Sequence, residues 1–235
     1  MKEQTPKDPV EQNRSHLTQL LVNKAALKQD IAQETLTVFN DLKAAIKKEL
    51  EALRVLVPDP RVRLFQQENG DFEIHVYVGS DVLVFSLHHN VFRLPDNNPL
   101  WGTAYFQHDE RHGYFGVIYI YNFLAESLIQ NRMADSGYLI SRLFFNQDRH
   151  FFADGRSQLA ALFRDPERNQ WNQQICSLVI QMSFAYVLSF DLFIPPYELQ
   201  DEITVNEMRF MGETLKLKTA KRLGFKMKSE DAETA

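Results

Sequence analysis

Apolar residues in the first quarter of the chain recur at helical spacing. Leu20, Ile31, Leu42 and Leu53 stand eleven residues apart, Leu27 and Val38 fall on the same face, and Leu17, Phe39, Ile46 and Leu50 widen it. Eleven residues over three turns is about 3.67 per turn, which predicts a straight or slightly right-handed helical layer and not a left-handed heptad supercoil. Asp8-Pro9-Val10-Glu11 reads as a helix start, with Asp8 as cap, Pro9 in the first turn and Glu11 where a capping box places its carboxylate. No Gly or Pro follows until Pro58, so one amphipathic helix is predicted over 9–57, on the order of 70 Å long. Its other face, with Lys24, Lys28, Asp30, Glu34, Lys43, Lys47, Lys48 and Glu51, mixes signs as a solvated face does. So long a helix needs a surface to pack on. Leu20, Leu27, Ile31, Val38, Leu42, Ile46 and Leu53 are the expected oligomer or docking interface.

Past Pro58 and Pro60 the period becomes two. Segments 61–67 and 72–78 flank Asn69-Gly70, a strong hairpin signal. Phe72, Ile74, Val76 and Val78 alternate with Glu73, His75 and Tyr77, so one strand face is buried and the other wetter. Segment 81–87 is apolar on both faces, as a central strand would be. Segments 102–107 and 114–121 are predicted to form a second hairpin around His108–Gly113, completing a five-strand meander. Asn122 is placed to cap a helix over 123–133, stopped by Asp135-Ser136-Gly137. A further strand pair, 138–145 and 150–153, a helical turn at 159–163, and helices over about 167–192 and 205–222 complete the reading.

The expected class is therefore α+β: an antiparallel, meander-like sheet of five to seven strands covered by C-terminal helices, with the long N-terminal helix attached. Segregated strands argue against alternating βαβ architectures. The chain divides into a disordered start (1–8), the docking helix (9–57), an α+β domain (58–228) and an acidic tail (229–235).

Composition changes this picture little, but charge layout adds to it. The net charge of −5 hides a balanced first 60 residues, an acidic middle whose cations are all Arg, and a basic cluster of Lys216, Lys218, Lys221, Arg222, Lys226 and Lys228. Arg-only cations suit paired, partly buried positions. Lys218, Lys221 and Arg222 share a helix face, and with Lys216 and Lys228 they form a candidate stripe for nucleic acid or another anion. No apolar run is long enough to span a membrane, the nearest candidate, 175–194, being broken by Gln181, Ser183, Ser189 and Asp191. The single cysteine, Cys176, forms no intrachain disulfide, and a soluble cytoplasmic protein is expected.

Candidate chemistry is sparse. His88 and His89 end the third strand, and His108 and His112 bracket the second hairpin tip, where the four offer a metal-dependent enzyme its ligands. A solvated polar turn explains the same residues with less. Cys176 sits at helical spacing among Ile175, Val179 and Ile180, as a buried inert thiol does. Arg149, His150 and the Asp154-Gly155-Arg156 turn follow aromatic pairs, Phe144-Phe145 and Phe151-Phe152, a pattern that suits base stacking and, more simply, a β core. No phosphate-binding glycine motif, serine-nucleophile motif or cofactor signature is present. The reading that results is a non-catalytic interaction, scaffold or regulatory subunit that self-associates or docks on a protein partner through its first helix.

Overall fold

The computed structural model describes residues 8–133, 135–155 and 157–190. The chain starts as a continuous helical rod: α1 (Pro9–Gln19), a π-turn (Leu20–Ala25) and α2 (Ala26–Leu56) follow one another without a break. The Asp8 carboxylate accepts the Val10 N–H at 3.1 Å, and Pro9 occupies the first turn where its missing N–H costs nothing. The rod stops at Val57, whose backbone leaves the helical region (φ −118°, ψ 83°) before Pro58.

An antiparallel sheet follows, built from β1 (Leu64–Glu68), β2 (Glu73–Val78), β3 (Asp81–Leu87), β5 (Tyr114–Leu124), β6 (Tyr138–Phe145) and β7 (Phe151–Gly155), neighbours in that order. The two-residue β4 (Phe92–Arg93) pairs with β5. The chain is thus α+β, with a meander as its sheet. Gly70 supplies the left-handed backbone (φ 76°) that the β1–β2 turn requires. Ile74 lies opposite Phe85, Phe85 opposite Ile120, and Ile118 opposite Leu143, so one face of the sheet carries a continuous apolar surface.

That face is the core. Val38, Phe39, Leu42, Ile46 and Leu50 of α2 lie on it beside Val179, Ile180, Phe184 and Val187 of α6 (Gln173–Leu188), all of them buried. Each such side chain contributes about 1.5–3 kcal/mol by leaving water. Gly116 marks a close approach of α2: a Cβ there would stand 2.0 Å from Thr35 Oγ1. The opposite face is covered at two places. Ala125 and Leu128 of α4 (Ala125–Ile129) pack on Tyr77, Val82 and Val84. Leu94, Trp101 and Phe106 pack on Phe115, Phe144 and Phe152. The β7 edge is closed by main-chain bonds from Phe151 to Asn169 and from Ala153 to Phe163, with α5 (Gln158–Leu162) in the loop between Ala153 and Phe163; a protected edge discourages strand addition.

Three expected elements differ. Segment 102–107 is not a strand: a 3₁₀ turn (Pro99–Gly102), α3 (Ala104–His108) and a second 3₁₀ turn (Glu110–Gly113) replace the second hairpin, because Asn98 caps the first turn and Phe106 plugs the outer-face cluster as a helical residue. The helix over 123–133 shrinks to α4. Phe123 and Leu124 pair with Val82 and Asp81, so cross-strand pairing extends β5, and Asn122 donates to the Asp81 carboxylate instead of capping. The helix expected from 167 begins at Gln173 under an Asn172 cap, since buried Trp171 and the bonds to β7 hold 166–171 as a turn. The core face is covered by α2 and α6; the helix expected at 205–222 lies outside the described residues.

The projecting helical arm and the histidine turns as candidate functional sites

The rod divides sharply. Leu27 is 6% exposed and Ile31 fully buried, whereas no residue from Pro9 to Ala26 is buried. Leu27, Ile31, Val38, Leu42 and Ile46, expected at an oligomer interface, are covered by this chain itself, and Leu53 packs against the same core. The physical reason is that α2 packs in cis on the apolar sheet face, chiefly on β5 and β1, and alongside α6. Of the expected interface, Leu20 alone projects, at 42% exposure, and it is joined by Leu17 (58%), Leu21 (65%) and Val22 (63%).

The π-turn sits at the junction. The Ala26 N–H donates to the Leu21 carbonyl five residues back, not four. Widening the helix by one residue rotates everything before it by about 100° relative to α2, so the arm's apolar positions turn away from the line that faces the sheet. Asp8 and Glu11 stand at the arm's first turn, and Lys24 and Lys28 at its root.

The four candidate metal histidines are not brought together. His88 accepts the Asn90 N–H through Nδ1 at 3.0 Å and lies edge-on to Phe92, with ring centres 4.9 Å apart. His89 meets Phe72 edge-on at 4.4 Å. His108 is exposed at the end of α3. His112 stacks on Tyr105 at 4.1 Å, donates from Nδ1 to the Tyr105 carbonyl at 3.0 Å and places Nε2 3.3 Å from the Asp148 carboxylate. Among the described residues no cluster of three or more His, Cys, Asp or Glu is placed to hold a metal ion. Because 102–107 is helical, His108 and His112 do not face each other across a hairpin.

Around His112 a polar knot forms that the sequence pattern did not single out. Asn146 donates to the Tyr105 hydroxyl at 2.7 Å and accepts the main-chain N–H groups of Asp148 and His150, and burial pushes the Tyr105 hydroxyl up from its ordinary value. These bonds tie the β6–β7 turn to α3. Their effect is to hold the outer-face segment down.

Arg149 pairs with Glu34 and Asp41 of α2, and His150 donates to the Pro166 carbonyl. The aromatic pairs divide between the faces: Phe144 stacks on Phe152 outside, at 4.6 Å, and Phe145 on Phe151 inside, at 5.6 Å. No continuous stacking platform results. Cys176 is buried, and burial pushes its thiol up to about 12, as an unreactive core residue requires. A cleft of about 200 Å³ between α2 and the end of β3, lined by Gln29, Gln33, Leu36, Phe72, His88 and His89 among others, is smaller than most ligand pockets. Lys216, Lys218, Lys221, Arg222 and Lys228 lie outside the described residues, as does Arg156 of the turn.

No helix among the described residues is long and apolar enough to cross a membrane. No protein-family model matches this chain, and comparison with curated proteins and with solved structures finds no match either.

Proposed function

We propose that this protein is a non-catalytic interaction or regulatory subunit whose docking element is the helical arm Pro9–Ala25, engaged by self-association or by a protein partner. The observation that carries the reading is an 11-residue α1 and a six-residue π-turn that continue the rod without burying a residue, yet expose Leu17, Leu20, Leu21 and Val22. Contiguous apolar residues rimmed by polar ones mark interaction sites on folded proteins. A helix this short is marginal alone in water; α2 nucleates it and a partner completes it. The domain behind it is a rigid mount.

The test compares the full chain with Leu17→Asp/Leu21→Asp. No arm residue contributes to the core, so the variant keeps the parent Tm, and light scattering reads a loss of association. Association that is the same in both chains, with equal Tm, removes the reading.

A further inference from the structure

We infer that the occupant of the arm is a second copy of the same arm, paired antiparallel about a two-fold axis between Leu17 and Thr18; this rests on the docking reading above and narrows it. Two features carry the inference. The first is charge. The arm is acidic where it begins, at Asp8 and Glu11, and basic where it joins the domain, at Lys24 and Lys28. An antiparallel pair sets Glu11 of each copy against Lys24 of the other, and Asp8 near Lys28, whereas a parallel pair sets like against like. The helix dipole does not account for Lys24, because the rod runs on to Leu56 and the dipole acts only within the terminal turns. The second is space. Antiparallel pairing leaves the two Leu27 positions, where each domain begins, about 28 Å apart along the axis, so the domains sit at opposite ends. A parallel pair brings both sheets to one end of the arms.

The interface is isologous: Leu17 meets its own symmetry mate, and Leu21 of each copy lies near Arg14 of the other. So short a contact places the dimer in the weak class, with a Kd on the order of micromolar.

The experiment uses the full chain with nitroxide labels at Gln12 or Asn23, Cys176 being buried. A mixture of copies labelled at 12 with copies labelled at 23 reads the shortest inter-label separation, while 12 with 12 and 23 with 23 are each offset by about 16 Å along the axis and read longer. Alongside it, Glu11→Lys and Lys24→Glu each raise the dimer Kd several-fold to about tenfold, and the double variant restores it. Equal short distances at 12/12 and 23/23, or single reversals without effect, overturn the antiparallel pair. A chain that stays monomeric at every concentration overturns the second copy as occupant, and then two further observations separate the remaining cases. Cross-links from Lys24 to the segment after residue 190 identify that segment as the cover in cis. Binding of an identified protein that Leu17→Asp/Leu21→Asp abolishes leaves the docking arm standing without self-pairing.

Discussion

Cys176 and Asp109 show how single groups report on the fold. The Cys176 thiol lies within the α2–α6 layer, and burial, with smaller contributions from Asp41 and Glu49, raises it to about 12. A group raised in the folded state stabilises that state below its unfolded value of about 9 and loses the contribution as pH climbs toward 12. At pH 8 a thiol reagent therefore labels the native chain only as fast as the core opens, and a rapid, stoichiometric reaction would contradict that burial. Asp109 runs the other way. The Arg111 guanidinium holds its carboxyl down to about 2, so the pair adds stability above the ordinary 3.8 and loses it as pH falls through 2. Asp109→Asn removes only that acid-limb dependence, a small change because the Arg111 partner is largely solvated; Tm measured from pH 4 to 2 checks it.

At the scale of elements, the contrast lies along one helix. Leu42→Ala or Ile46→Ala costs about 2–5 kcal/mol in denaturant unfolding, since each leaves a cavity in the shared core. Leu17→Asp changes stability by less than about 0.5 kcal/mol, since its side chain touches none of that core. Gly116→Ala forces a Cβ onto Thr35 and costs about 1–3 kcal/mol, part of which Thr35→Ala relieves; a neutral Gly116→Ala would mean that α2 rides higher on the sheet. Elements with an unmixed period were legible in sequence: the eleven-residue repeat of the rod, the alternation of β2 and the doubly apolar β3. Those decided by distant partners were not. Phe123 and Leu124 look helical until Val82 and Asp81 stand beside them, and Pro166-Glu167 resembles a helix start until Trp171 anchors the turn. The apolar face of the rod was legible too, but its owner was not. Which of its leucines meet the chain's own sheet depends on where the sheet ends, and the π-turn leaves no mark in the residue pattern. Tyr105, Asn146 and Asp148 were missed for the same reason, as their association is purely tertiary.

For the whole molecule, the first helix is neither a free rod nor a separate domain. From Leu27 onward it is a wall of the core; before that it is an arm held out by the wall. The two parts share one backbone, but only the second is packed by the core, so under the docking proposal a chain of 27.4 kDa is expected to keep its Tm while losing association when only the arm is altered. Hydrogen exchange along residues 9–56 tests this division most directly. The account predicts amides from Ile31 to Leu50 protected to the level of global unfolding at every concentration. Those from Pro9 to Ala25 should exchange orders of magnitude faster in dilute solution and slow as the chain is concentrated or a partner is added. A single protection level running unbroken from Pro9 to Leu56 in dilute solution would contradict it.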